Sequence, residues 1–100
     1  MAKLVASLSN RAKNCINAQA MWYHVNRDDA FTRTMLKNIT EDIDALCDTP
    51  TIGHMISEGG KHQYRVFVSK KKCIIKYWFN TRTLYVVDVI FTDTHSPRIF

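Results

Sequence analysis

The clearest hydrophobic pattern in the chain lies in its last forty residues. Two segments rich in β-branched and aromatic residues, 73–79 and 83–91, flank the polar tripeptide 80–82, and this pattern predicts a β-hairpin. A third such segment, 63–69, precedes them across the lysines of 70–72, so we expect three consecutive antiparallel strands. The last strand is mostly apolar on both of its alternating sides, which predicts a central strand covered on both faces.

Strict alternation divides that last strand into two faces. One set of side chains is Tyr85, Val87, Val89 and Phe91, and the other is Leu84, Val86, Asp88 and Ile90. Because side chains in a strand point alternately to the two faces of a sheet, we expect each set to share one face.

Two stripes of apolar or small side chains at helical spacing come earlier in the chain. The first comprises Ala12, Cys15, Ile16, Gln19, Trp22 and Tyr23, and the second comprises Phe31, Met35, Ile39, Ile43 and Leu46. This spacing predicts two amphipathic helices separated by a break at 24–27. Ser9 or Asn10 can cap the first helix, Asp28 or Asp29 the second, and Pro50 ends it. The remaining charged residues of the second helix are expected in solvent: Arg33, Lys37, Glu41, Asp42 and Asp44.

The order of these elements predicts a single α+β domain over residues 1–100. Short strands or extended segments are expected at 3–8 and 52–57, which gives the order β-α-α-(β)-β-β-β. An αα-hairpin would then pack on one face of a curved antiparallel sheet. No apolar run approaches the roughly 20 residues of a membrane helix, and residue 1 does not begin a signal peptide. We therefore expect a cytoplasmic protein that makes no use of a membrane.

The chemistry of the cysteines and histidines argues against a metal site. Cys15, Cys47 and Cys73 are widely spaced and odd in number, which predicts free thiols and not a disulfide framework. No two histidines have the i, i+4 spacing of a helical metal site, and no Gly-rich phosphate loop is present. We therefore expect neither a metal ion nor a cofactor.

The charge is divided unevenly along the chain. Residues 1–58 contain six basic and seven acidic side chains, whereas residues 59–100 contain eight basic and two acidic ones. The predicted sheet is therefore the positive part of a chain whose net charge is +5. Such a surface attracts the phosphate backbone of a nucleic acid or an acidic segment of another protein.

Two cations within the predicted strands are candidates for phosphate binding. If Tyr64, Val66 and Val68 pack on the helices, alternation places Arg65 on the opposite, open face, and Lys76 is expected there as well. Arg65 would contribute a planar guanidinium and Lys76 a point charge. The alternative is an ordinary solvated face on which an arginine pairs with an aspartate such as Asp88.

Further candidates lie in the turns and the tail. Lys70, Lys71, Lys72, Arg82 and Arg98 would add positive potential for RNA binding, although the lysine run is also typical of a solvated loop. His95 can exchange a proton near neutral pH. Cleavage of RNA requires a base for the 2′-hydroxyl and positive charge at the phosphate, so a catalytic set of His95, Arg65 and Lys76 would suit that reaction. A surface role for His95 is the alternative.

These segments together resemble the RelE/ParE superfamily of toxins from bacterial type II toxin–antitoxin modules. The resemblance covers nearly the whole chain and rests on the order of elements and on short motifs. The motifs lie at 48–53, with a Pro-x-x-Gly break, and at 64–67, 74–77, 84–89 and 93–97. The resemblance implies a compact sheet with two helices on one face. It also implies a cognate antitoxin whose acidic, amphipathic segment wraps the toxin.

The resemblance implies two possible activities, because the superfamily divides. RelE-like members cut messenger RNA on the ribosome. By position Arg65 matches an arginine that many members of both branches carry, and His95 falls where ribonuclease members often place a C-terminal catalytic residue. ParE-like members instead poison DNA gyrase without catalysis. From the sequence we favour RNA cleavage, with gyrase inhibition as the first alternative. A non-toxic basic binding module is the second.

Overall fold

The helices and strands follow the predicted order. The computed structural model describes residues 3–56, 63–69 and 73–91. The elements are β1 (Val5–Leu8), α1 (Asn10–Asn26), α2 (Asp29–Asp48), a 3₁₀ turn (Pro50–Ile52), β2 (His54–Ile56), β3 (Tyr64–Ser69), β4 (Cys73–Phe79) and β5 (Thr83–Phe91). None of the helices among these residues is long and apolar enough to cross a membrane.

The five strands form one sheet in the order β1-β5-β4-β3-β2. Strands β2 to β5 pair antiparallel, as predicted, whereas β1 pairs parallel to β5. The α+β architecture with an αα-hairpin is therefore confirmed, and the parallel pair makes the sheet mixed. A parallel partner requires a long crossover, which α1, α2 and the strands that follow them provide. Because β5 pairs with β1 on one side and with β4 on the other, β5 lies inside the sheet and β1 lies at its edge.

Both helices begin at the predicted caps. The Ser9 side chain accepts a hydrogen bond from the backbone N–H of Ala12 (3.0 Å), and Asp28 accepts one from Phe31 (3.2 Å). The break between the helices was predicted at 24–27. It begins about three residues later than predicted, because α1 continues to Asn26. The chain leaves helical geometry only at Arg27 and Asp28.

The hydrophobic core lies between the two helices and one face of the sheet. From the helices it contains Ala12, Ile16, Met35, Ile39, Ile43, Leu46 and Cys47, and from the sheet Cys73, Ile75, Tyr77, Leu84, Val86 and Val89. The predicted helical stripes are thus largely confirmed. All three cysteines are free, with two of them in the core. The prediction of free thiols is confirmed.

A β-bulge in β5 changes which side chains face the core. Lys76 is opposite Asp88 but Tyr77 is opposite Val86, so Val87 is the extra residue. Val86 and Val89 are consequently both buried, and the prediction of strict alternation along this strand is wrong. The Ser9 hydroxyl donates a hydrogen bond to the Val87 carbonyl (2.6 Å) at this point.

Two further expectations about exposure are wrong. Asp42 is buried in α2, where the Ser69 hydroxyl of β3 donates a hydrogen bond to its carboxylate (2.6 Å). Helical periodicity placed Asp42 in solvent because its partner is 27 residues away in sequence. The helices cover only one face of β5. On the other face Ile90 is 49% exposed, so the strand is not covered on both sides along its whole length.

Candidate functional site

An apolar groove runs along the edge of the sheet where β1 meets α2. It has a volume of about 480 Å³. Its walls are Leu4, Ala6 and Leu8 of β1, Ile16 of α1, and Leu36, Ile39, Thr40, Ile43 and Cys47 of α2, with Lys3 and Asp44 at its rim. Lys3 and Asp44 form an ion pair there, and the hydrogen bond between them raises the pKa of Lys3. The groove is therefore an apolar channel with a charged border.

The backbone of β1 borders this groove with hydrogen-bonding groups. Val5 and Ser9 donate their N–H groups to the carbonyls of Arg82 and Val86, on the β5 side. Alternation along the strand then directs the peptide groups of Ala6 to the other side, the outer edge of the sheet. In the sheet of described strands, β1 has no partner on that side. A strand edge and an apolar groove therefore lie side by side, the combination that binds an extended peptide.

Arg65 lies on the helix side of the sheet, against our prediction. It is opposite the buried Tyr77 in the β3–β4 pair. One terminal nitrogen of its guanidinium donates hydrogen bonds to the carbonyls of Gly53 (2.9 Å) and Thr51 (3.3 Å). The guanidinium also lies 6.0 Å from the centre of the Phe79 ring. Arg65 thus ties the 3₁₀ turn after α2 to the sheet.

Tyr77 completes this attachment of the turn. Its hydroxyl donates to the Pro50 carbonyl (2.6 Å) and accepts from the N–H of Gly53 (3.0 Å). A Cβ atom at position 53 would lie 2.5 Å from the Tyr77 oxygen, which explains why glycine occupies that position. Burial raises the pKa of Tyr77, so the hydroxyl keeps its proton at neutral pH. We call Pro50, Gly53, Arg65 and Tyr77 the turn lock.

Lys76 lies on the open face, as predicted. Its ammonium group is 4.9 Å from the centre of the Tyr64 ring. On the same face Trp78 stacks on Tyr85 across β4 and β5, with ring centres 4.2 Å apart and an angle of 16° between the rings. The described part of the open face is thus aromatic as well as cationic. From the sequence, composition indicated the positive charge of the sheet but not the aromatic rings on this face.

Arg65 and Lys76 therefore lie on opposite faces of the sheet. The error arose because Tyr64, Val66 and Val68 were expected to pack on the helices. Instead Phe67 and Ser69 face α2, and Val68 is 62% exposed. The structure does not bring together the two cations of the predicted catalytic set.

The other predicted residues divide into two groups. Arg82 is exposed in the turn between β4 and β5, where its N–H donates to the Asn80 side chain (2.8 Å). The remaining predicted residues lie outside the described residues, namely Lys70, Lys71, Lys72, His95 and Arg98. Among the described residues no three His, Cys, Asp or Glu side chains are grouped to hold a metal ion.

Asp88 pairs with a residue of α1 and not with Arg65. Its carboxylate lies 3.4 Å from the guanidinium of Arg11. The Cys15 thiol lies 3.7 Å from the same carboxylate. Burial, followed by the charge of Asp88, raises the pKa of Cys15 and keeps it a thiol. This cluster anchors α1 to the bulge and has the features of a structural contact.

Comparison with known proteins gives a structural match only. No protein-family model matches the sequence, and no curated protein matches it. A chain in the solved structure described as "Chromosomal ParDE TA system from P. aeruginosa" superposes with a TM-score of 0.71. The match covers 91% of this chain and 98% of that chain at 10% sequence identity. Two helices on a five-stranded mixed sheet are thus the fold that the two chains share.

Proposed function

We propose that this protein is the toxin of a type II toxin–antitoxin pair and that its antitoxin binds along the β1 groove. The observation that carries the proposal is the match over nearly the full length of a chain from a ParDE system. The groove supports it independently, because a sheet edge beside an apolar channel suits a wrapping peptide segment.

The chemistry of the groove specifies the bound segment. An extended strand added to β1 would bond to the outward peptide groups around Ala6. Every second side chain of that strand would enter the groove between β1 and α2 and should therefore be apolar. The net charge of +5 favours acidic residues elsewhere in the segment. We infer an antitoxin segment with apolar side chains at alternate positions and net negative charge.

A test of this site uses two variants of similar exposure. Leu36 lines the groove and is 41% exposed, whereas Ile90 lies on the other face of the sheet and is 49% exposed. We expect wild-type protein to arrest growth when expressed alone and to be silenced by the protein encoded in the neighbouring reading frame. Leu36→Asp should remain toxic but escape silencing, and Ile90→Asp should remain silenced. Equal silencing of both variants would exclude the groove as the antitoxin site.

The proposed activities differ in the residues that they require. RNA cleavage by the predicted set needs Arg65, Lys76 and His95 to converge on one phosphate. Arg65 instead bonds to the turn, on the face opposite Lys76. This separation favours the gyrase-directed alternative, which needs a binding surface and no convergent catalytic groups. We therefore place gyrase inhibition ahead of RNA cleavage as the proposed activity.

One experiment distinguishes these activities. Purified protein is added to a gyrase supercoiling assay, and cellular messenger RNA is followed after induction. Inhibited supercoiling with intact messages would support the gyrase proposal. Cleaved messages, with cleavage lost in Lys76→Ala, would restore the nuclease hypothesis. Harmless expression without the antitoxin would contradict both and favour a non-toxic binding module.

A further inference from the structure

The groove along β1 differs in charge between its two ends. The Leu4 N–H donates a hydrogen bond to the Cys47 carbonyl (3.1 Å), so the start of β1 lies beside the end of α2. The residue of α2 that lines the groove farthest from Cys47 is Leu36. At about 1.5 Å per residue these positions are about 16 Å apart, which exceeds the screening length of about 8 Å at physiological ionic strength. The charges at one end of the groove are therefore largely screened from those at the other.

Exposed cations lie at the Leu36 end. Arg33 and Lys37 of α2 are exposed and, at 100° per residue, lie on the same side of the helix as Thr40, which lines the groove. On α1, Lys13 is exposed and lies one helical turn before the lining residue Ile16. We call this the basic end of the groove.

The cations at the basic end are not neutralised by ion pairs within the described chain. Among residues 3–56, 63–69 and 73–91 the ion pairs are Lys3–Asp44, Arg11–Asp88 and His24–Asp29. Glu41 is the nearest acid to Lys37 along α2, but it lies 100° beyond Thr40 and away from the groove. Arg33 and Lys37 are therefore available to a carboxylate from a partner.

The other end of the groove is bordered by carboxylates. Asp44 lines it in an ion pair with Lys3, and Asp48 is exposed one turn further along α2. The hydrogen bond with Asp44 raises the pKa of Lys3, and the charge of Asp48 acts in the same direction. One cation thus faces two carboxylates. We call this the acidic end of the groove.

We propose that Arg33 and Lys37 form a carboxylate-binding site at the basic end, which fixes the orientation of the bound antitoxin segment. This inference rests on the proposed function, because it concerns the segment that would extend β1. The apolar side chains of that segment fill the groove, and its acidic side chains follow them at the basic end. At the acidic end the segment carries uncharged or basic residues, since a carboxylate there would meet Asp44 and Asp48. The groove thus accepts one order of charges and rejects the reverse order.

A polypeptide fits this arrangement better than a nucleic acid does. The surface between the two ends is apolar, and beside it the edge of β1 offers peptide hydrogen-bonding groups. A nucleic acid carries a phosphate at every nucleotide, so its charge would also face the apolar walls and Asp44. Cations at one end only therefore match a polypeptide whose acidic residues are clustered.

The test measures binding of the full chain to the protein encoded in the neighbouring reading frame, by calorimetry at several salt concentrations. Arg33→Glu and Lys37→Glu should each weaken binding several-fold and should reduce the dependence of the dissociation constant on salt. Arg82→Glu is the matched control, because it makes the same charge change at an exposed residue in the turn between β4 and β5. It should weaken binding by less than about twofold.

Leu36→Asp separates this inference from the proposed function. No binding by wild type, or equal binding by wild type and Leu36→Asp, would overturn the groove as the antitoxin site and the carboxylate-binding site with it. If Leu36→Asp weakens binding but Arg33→Glu and Lys37→Glu lose no more than Arg82→Glu, the carboxylate-binding site alone is wrong. Circular dichroism of each variant establishes that the helices remain folded.

A second measurement tests the orientation without changing the groove. A spin label is placed beside the acidic residues of the bound protein, and the amide NMR signals of α2 are followed in the wild-type chain. Signals near Arg33 should weaken more than those near Asp48. Stronger weakening near Asp48 would show the reverse orientation and overturn the proposal.

Discussion

At the scale of single residues, the turn lock explains a motif that the sequence displays only as a proline and a glycine. Pro50 and Gly53 are both bonded to one hydroxyl, that of Tyr77, which is fully buried in β4. A buried hydroxyl with both a donor and an acceptor partner fixes the position of the turn relative to the sheet. Arg65 adds a second attachment through the Gly53 carbonyl.

Tyr77→Phe should destabilise the protein by about 1–3 kcal/mol, because it leaves the Gly53 N–H and the Pro50 carbonyl without their partner. The ring and its packing are retained, so the loss reports the hydrogen bonds. Urea unfolding at neutral pH measures it. Tyr85→Phe, on the open face, is the matched control and should cost much less. Similar losses in the two variants would show that the lock contributes little.

The same hydroxyl should make stability depend on alkaline pH. Burial raises the pKa of Tyr77 above its ordinary value of about 10. The unfolded state then loses this proton at a lower pH than the folded state. The stabilisation is therefore fully present below about pH 10 and is lost as pH rises through the folded pKa.

Unfolding free energies of wild type and Tyr77→Phe, measured from neutral to alkaline pH, isolate this contribution. The raised thiol pKa values of Cys15 and Cys47 act in the same direction but are common to both proteins. The difference between the two proteins should therefore be constant at neutral pH and should shrink above about pH 10. A difference that stays constant up to strongly alkaline pH would contradict this account.

At the scale of elements, local sequence patterns predicted which helices and strands form, but not always on which face of the sheet a side chain lies. The helix caps and both helical stripes depend on neighbours within a few residues, and they were predicted well. The face of Arg65 depends on carbonyls that lie 12 and 14 residues away in sequence. Both alternating sets of β3 contain apolar residues, so periodicity could not choose between them. The prediction that Arg65 shares a face with Lys76 is wrong for this reason.

The bulge in β5 also depends on a contact between residues that are far apart in sequence, which local patterns cannot predict. Ser9 and Val87, which bond at the bulge, are 78 residues apart. In a strand that is apolar on both sides, no local sequence pattern predicts an extra residue. One extra residue then reverses the facing of all that follow, which is why Val89, and not Asp88, joins Val86 in the core.

Deleting Val87 should convert the bulge into a regular strand without exposing the core. Val86 and Val89 would then be two residues apart, so alternation would keep both of them on the core face in the observed register. The expected cost is that of the hydrogen bond from the Ser9 hydroxyl to the Val87 carbonyl, about 1 kcal/mol. Val87→Ala keeps the residue count and this carbonyl and is the control. Chemical unfolding of both variants measures the difference, and a deletion variant that loses several kcal/mol more than Val87→Ala would contradict the assignment of Val87 as the extra residue.

At the scale of the whole molecule, two of the described surfaces differ in chemistry and lie on different sides of the sheet. The groove along β1 is apolar beside a strand edge and lies on the helix side, whereas the open face is aromatic with Lys76. An antitoxin segment confined to the groove would therefore leave the open face uncovered.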